Sequence, residues 1–436
     1  MIATAGACVL LTTVAVVPAR GQSVPIARQA AQAMAQRTAA RPPQPDEPRV
    51  RVRWDNRPAV RLGSIGEVAF RARLDSTLRT PDADMGRVEK AFDWGSRRVQ
   101  VEGTLFKKFE FEWSHEFGDP DEPERDAFVN YRYARALELQ GGRFKVPFGR
   151  DALVGRANLD FVYRSLAGRL ISPGRDVGVM AHGQLLGPVL SYEAGYFRRD
   201  GDNARGGGTQ GGSDALGARV MLSPFEARDA SLWEHLEFGV AILASQMDHA
   251  LGLRGRTVFR DGEFFERVFV NGQRVRRGIE GGWRRGPLSA MGEYMSVSDA
   301  RADMGPNGEA LPGVTASGWY LAGTWVVTGD SKNGRVNPRR PLFHGGYGAI
   351  EVAARLERLS FGGLTHPGTI ANAPRPEGLA ANGEQVFTAG VAWYLDRHFK
   401  VQGNLVREKV DDPTRSPSPR TGGSFPSGVV LVQFVM

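Results

Sequence analysis

The chain has 436 residues, among them 55 glycines and a single cysteine, and its formal charge is +8 with a pI near 9.8. That balance allows an anionic partner without naming one. No run of 18 apolar residues follows the N-terminal segment, which excludes a helical membrane span. No composition break marks an internal boundary, so the chain reads as one large unit.

Residues 1–21, "MIATAGACVLLTTVAVVPARG", hold an apolar stretch followed by Ala19-Arg20-Gly21. Small residues at the −3 and −1 positions fit a cleaved secretory signal peptide, although the positive n-region is missing. The stretch before Cys8 is too short for a lipoprotein signal, and cleavage leaves no cysteine in an exported chain. Residues 22–48 are rich in Ala, Gln and Pro and read as a periplasmic leader. The Ala/Gln part is a candidate helix, and residues 49–436 form the remaining domain.

That domain alternates with period two, the mark of strands with one apolar and one polar face. Val68, Phe70, Ala72 and Leu74 alternate with Glu67, Arg71, Arg73 and Asp75. Phe109, Phe111 and Trp113 alternate with Lys108, Glu110, Glu112 and Ser114. Ile350, Val352, Ala354 and Leu356 do the same, and so do Phe387 to Leu395 and Phe399 to Leu405. About sixteen such segments are expected between residues 65 and 436. Short turns such as Leu186-Gly187 and Asp396-Arg397 alternate with long polar loops at 200–214, 299–315, 362–383 and 411–427. Short turns on one rim and long loops on the other predict an all-β fold, a transmembrane antiparallel β-barrel of about 16 strands. In hydrocarbon every backbone polar group must pair within the protein, and a closed barrel achieves that with strands. Sixteen strands leave a lumen wide enough for water. Trp113, Trp325, Trp393 and Tyr394 lie near strand ends, as an interfacial girdle requires.

The segments "GGRFKVPFGRDAL" (141–153), "NLDFVYRSL" (158–166) and "PGRDVGVMAHGQL" (173–185) resemble the outer-membrane family of phosphate-selective porins O and P. "YEAGYFRRDGDN" (192–203), "WYLAGTWVVTGDSKNGRVNPRRPLF" (319–343), "GAIEVAARLERLSF" (348–361) and "TAGVAWYLDRHFKVQGNLVRE" (388–408) follow in the family's order. The resemblance spans about residues 50–436. It implies a homotrimer of water-filled channels in outer-membrane lipid, passing small hydrophilic or anionic solutes such as phosphate. It also implies a loop after the fifth strand, here 148–175, that folds inward and narrows the lumen. One departure is the C-terminus, "LVQFVM", where Phe434 stands two places before the terminal position that an aromatic residue usually takes.

The expected constriction loop carries Arg150, Arg156, Arg164, Arg169 and Arg175 against Asp151 and Asp160. Guanidinium forks in a narrow, low-dielectric passage suit anions and phosphate oxygens. Parity assigns Arg71, Arg73, Lys108, Arg132, Arg143, Lys145, Arg276, Arg284, Arg355 and Lys400 to the lumen wall. It also assigns Glu67, Asp75, Glu102, Glu110, Glu112, Glu116, Glu280, Glu351 and Glu357 there. The wall is thus expected to be nearly neutral, so anion preference has to arise in the constriction or from segregated charge. Composition is a competing account of the arginines, since 49 Arg stand beside 7 Lys. The alternative function is a structural or adhesive barrel with a lumen plugged by loops. Catalysis, a cofactor and a metal are not expected, because the seven His show no ligand spacing and no nucleophile elbow occurs. A barrel-borne hydrolase using His115, His182 or His398 is the remote exception. Nothing resembles a nucleic-acid-binding module.

Overall fold

The computed structural model describes residues 50–54, 56–80, 91–120, 123–201, 212–226, 232–259, 262–332, 334–363, 381–415 and 423–436. The expected signal peptide (1–21), the leader (22–48) and the tips of several long loops lie outside them.

The strands run β1 (Val50–Trp54), β2 (Pro58–Leu62), β3 (Gly66–Arg79), β4 (Phe92–Leu105), β5 (Phe109–Glu116), β6 (Glu124–Ala134), β7 (Leu137–Lys145), β8 (Arg175–Leu185), β9 (Leu190–Phe197) and β10 (Ser213–Leu222). They continue as β11 (Glu237–Leu251), β12 (Gly255–Arg256), β13 (Glu263–Phe265), β14 (Phe269–Arg285), β15 (Leu288–Arg301), β16 (Leu311–Val326), β17 (Ala349–Gly363), β18 (Asn382–Tyr394), β19 (Phe399–Val410) and β20 (Ser424–Val435). Among the described residues, sixteen of these form one antiparallel ring, β3 to β11 followed by β14 to β20. The ring closes where β20 pairs with β3, with Val435 opposite Arg73 and Val429 opposite Arg79. Met436 continues the seam by exchanging backbone hydrogen bonds with Ala72. The early aromatic residue still serves closure: Phe434 packs on Phe399 with ring centroids 4.9 Å apart.

Alternation explains the wall. Phe70, Leu74, Leu78, Val129, Val179, Val240, Leu321, Val391 and Leu405 point outward and are exposed on the isolated chain. That is the expected state of side chains whose solvent is lipid. Trp325 and Trp393 stand outward near one rim, and Phe92 and Trp94 near the other. Tyr394 departs from the expected girdle. It turns inward, is almost fully buried, and donates its hydroxyl to Glu351 Oε2 at 2.8 Å.

The rims are asymmetric as predicted, with two additions. The Leu186-Gly187 turn has positive φ at both positions (56° and 68°), within a four-residue connection between the paired Leu185 and Leu190. The connections 223–236 and 327–348, however, are long although they leave the short-turn rim. The hairpin β1–β2 is also unanticipated: β2 pairs with β3 at Ala59–Ala69, just beyond the end of β20.

Candidate functional site

The connection 146–174, after the fifth ring strand, folds into the lumen. It contains two short helices, α1 (Arg150–Leu153) and α2 (Leu166–Leu170). Val146, Phe148, Val162, Leu166 and Ile171 are buried in one cluster with Leu243, Met295, Val297 and Leu359 of the wall. Each such burial is worth about 1.5–3 kcal/mol, so the loop is held as a packed element. Polar pins add direction. Glu293 Oε1 accepts from the Arg150 N–H at 2.7 Å, and Glu357 Oε2 accepts from the Leu166 N–H at 2.5 Å. Asn404 Oδ1 accepts from the Val162 N–H at 2.7 Å. Ser165 caps α2 through the Gly168 N–H and is itself held by Asp151.

Two further segments enter the lumen. Residues 252–259 and 262–268, with β12 and β13, pack Phe265 on Phe361 at 4.6 Å. The Val258 N–H of this segment donates to Glu408 at 2.7 Å. Residues 327–348 come from the opposite rim. Lys332 there joins Asp160 of the constriction loop (2.7 Å) to Glu351 of the wall. Arg335 donates to Ala157 O at 3.1 Å and to Gln433 Oε1 at 2.7 Å. The sequence signal for both segments was only their length and their Arg content.

These segments cover the wall from β14 to β19. The carboxylates expected to line the lumen there, Glu280, Glu351 and Glu357, are buried. So are Arg276, Arg355 and Lys400. Arg276 donates to Ile171 O (2.8 Å), Arg355 to Tyr163 O (3.1 Å) and Lys400 to Leu159 O (3.1 Å). Arg355 and Lys400 are therefore lumen-side residues that water in the passage does not reach; they hold the loop.

What remains open is a cavity of about 2130 Å³ between the loops and the wall from β3 to β8. Fifteen basic residues line it against five acidic ones. Of the wall residues assigned by parity, three bases (Arg71, Arg73, Lys145) and two acids (Glu112, Glu116) line the cavity, so its positive excess comes from the arginines of the inward segments and loops together with Arg79, Arg98 and Arg125. Arg71, Arg73 and Lys145 line the cavity, with Arg156, Arg164, Arg169 and Arg175 of the constriction segment. Arg150 does not line it; its guanidinium pairs with Glu237. Arg132 faces the lumen nearer the short-turn rim and pairs with Glu110 at 3.1 Å. Two assignments are overturned. Lys108 is in the turn between β4 and β5, not on a strand. Arg143 is directly opposite Val177 and Ala127, whose line continues to the exposed Trp113, so it shares the outward face. Its neighbour Phe144 packs inside against Phe128 and Phe197.

Several of the cations donate to backbone carbonyls of the inward segments. Lys145 Nζ donates to the carbonyls of Ala152, Leu153 and Val154 at 2.8–3.0 Å. Arg164 donates to Asp151 O and Val154 O, and Arg169 to Thr257 O and Val258 O. Burial lowers the Arg164 pKa from its usual value, Asp151 opposing this, yet guanidinium stays protonated in proteins. Others share a few acids: Arg175 holds Asp126 in a two-point fork at 2.8 and 2.9 Å, and Arg156 reaches Asp75 at 2.9 Å. Arg98, of the same parity as Glu102, lies 3.5 Å from Glu116. Arg254, Arg256 and Arg267 add positive charge from the 252–268 segment, and Arg199 from the loop after β9.

The candidate histidines make structural contacts. His115 stacks between Trp113 and Phe117, His182 meets Asn130 at 3.0 Å, and His398 meets Val435 O at 2.8 Å.

A closed sixteen-strand ring with a lipid-facing apolar surface and a wet, charged lumen narrowed by an inward loop defines an outer-membrane porin. A family model for Phosphate-selective porin O and P matches residues 70–431, and the chain belongs to that family. It is 22% identical over 391 residues to Porin O of Pseudomonas aeruginosa, covering 81% of this chain and 82% of that protein. Among solved structures, OmpT, an outer membrane protein of Vibrio cholerae, superposes with a TM-score of 0.55 at 12% identity, over 85% of this chain and 98% of that one. An anion-selective porin from Comamonas acidovorans does so with a TM-score of 0.52 at 13% identity, over 85% and 100%. The protein is a channel of the bacterial outer membrane, its short turns on the periplasmic side as in other such barrels.

Proposed function

We propose that the channel is anion-preferring, with phosphate among its solutes, and that it works as a homotrimer by passive diffusion. The observation that carries this is the charge of the open cavity, fifteen basic residues against five acidic. A low-dielectric passage lined by one sign of charge concentrates counter-ions. Arg156, Arg164, Arg169 and Arg175 act as the constriction set, with Arg71, Arg73, Arg98 and Lys145 on the facing wall. Arg150 serves as a loop anchor. The family's name supports phosphate, the anion selectivity of the Comamonas porin supports anions, and the trimer form solved for the Vibrio protein supports the assembly. Residues 1–21 are proposed as the export signal and 22–48 as a periplasmic leader. An open cavity of this size weighs against the structural or adhesive reading.

Reversal potential in a planar bilayer across a salt gradient tests the proposal. A preference for the anion is expected, weakened in Arg156→Ala and Arg164→Ala. An unselective or cation-preferring wild-type channel sinks it.

A further inference from the structure

Along the open wall the charge changes sign from the constriction to the periplasmic end. Strand β5 runs from the short-turn rim towards the long-loop rim, and its inward residues in that order are Glu110, Glu112, Ser114 and Glu116. Ser114 and Glu116 are at the height of the cation layer. The Ser114 hydroxyl oxygen accepts from the Asp126 N–H at 3.0 Å, Asp126 is held by Arg175, and Glu116 lies within reach of Arg73 and Arg98. Below Ser114 the inward groups are Glu112, Glu110 and, on β4, Glu102, with Glu138 on β7.

Three of these are already occupied. Glu102 pairs with Arg71 at 2.8 Å and Arg57 at 2.6 Å. Glu110 pairs with Arg132, and Glu138 accepts from Asn130 at 2.7 Å. Glu112 is different. It lines the cavity, and among the described residues no hydrogen bond or ion pair engages its carboxylate. Directly across the ladder it faces Glu102 on one side and Phe128 on the other, neither of which neutralises it. Of the other cavity acids, Glu116, Asp119 and Asp126 are ion-paired, and Asp93 is exposed at the long-loop mouth.

We propose that Glu112 is a specificity-determining residue that sets the release of anions from the constriction towards the periplasm. The inference rests on the anion-preferring reading. Conduction needs a site favourable enough to fill and weak enough to leave. A layer of Arg and Lys with few counter-charges satisfies the first condition only. Glu112 stands two residues beyond that layer, about 7 Å along the strand, with a carboxyl group that no hydrogen bond or ion pair engages. An anion leaving the Arg98–Arg175 layer passes that group, which, ionised, shallows the well it leaves. Because this carboxyl group is on the periplasmic side of the layer, currents driven at opposite polarities are unequal.

The test is single-channel current through the full-length channel in potassium chloride, and separately in potassium phosphate, over a range of concentrations and at both polarities. Wild type, Glu112→Gln and Glu112→Asp are compared. Glu112→Gln is expected to lower the half-saturating anion concentration at least twofold, raise the anion-to-cation permeability ratio and alter the ratio of currents at opposite polarity. Glu112→Asp is expected to track wild type, and unitary openings by each variant show that it has assembled. Glu112→Gln indistinguishable from wild type in all three measures overturns the proposal, as does Glu112→Asp behaving like Gln. A wild-type channel with no anion preference in the same experiment overturns the functional reading itself, a separate result.

Discussion

The two halves of the barrel wall differ in what became of their charges. From β14 to β19 the inward residues alternate acid, base and polar much as they do from β3 to β8. On the first half three inward segments lie against them. Glu293, Glu357 and Glu408 accept backbone N–H groups of those segments, and Arg276, Arg355 and Lys400 donate to their carbonyls. On the second half the cavity lies against the wall, and Arg71, Arg73, Arg98, Arg125 and Lys145 face it. The same residue types therefore anchor loops on one side and meet solute on the other. Burial decides the role, because a buried charge must find a partner whereas one facing water need not.

The largest effect that sharpens this contrast is expected on the covered side. Glu357→Ala removes the acceptor of the Leu166 N–H and the partner of Arg355. Losing one member of a buried pair costs about 3–5 kcal/mol. The constriction loop should loosen, the unitary conductance should rise and the denaturation temperature should fall. A variant with unchanged conductance and stability would mean that packing alone holds the loop.

On the open side the expected effect falls on selectivity. Replacing Arg73, Arg98 and Arg164 together by Gln should bring the reversal potential close to that of an unselective pore. Lys400→Met, on the covered side, should leave selectivity within experimental scatter. If Lys400→Met changes the permeability ratio as much as the triple variant, the division into two halves is wrong. Salt probes the same point without mutation. Screening shortens from about 10 Å at 0.1 M to about 3 Å at 1 M, so selectivity from the open wall should weaken between those concentrations.

Smaller effects are expected from two loop residues. Arg150→Ala should leave the permeability ratio nearly unchanged while increasing current noise, since Arg150 pairs with Glu237 away from the cavity. Asp200, in the loop after β9, is locked to Arg274 and Arg276. Burial would raise its pKa, but the two guanidiniums and their hydrogen bonds, with that of Ser245, hold it well below the carboxylate range. A depressed pKa contributes stability above the unfolded value near 4 that is lost as pH falls through the depressed one. Lowering the pH from 7 to 5 should therefore leave this latch intact, and loss of protection should begin only below about pH 4. Hydrogen exchange of the Gly201 amide, which donates to Asp176 beside the latch, is a direct readout.

Sequence alone determined the ring. Period-two alternation is a local property of the extended backbone, so sixteen strands and the outward apolar faces were legible, and so were most of the turns and loops. So was the inward loop after the fifth strand, from its resemblance to the family. Individual lumen residues were legible where apolar meant lipid. That rule failed at Phe144 and Tyr394, because the inward loops build a second apolar core inside the barrel, and a buried aromatic there is as favourable as one in lipid. Parity failed at Arg143, which shares the outward face of its ladder partners Ala127 and Val177. Only the tertiary structure decided which half of the wall is covered. Leu166 meets Glu357 across 191 residues of sequence and Val258 meets Glu408 across 150, and no local pattern records such pairs. A wall neutral by count became a basic passage because the inward segments line it with their own arginines.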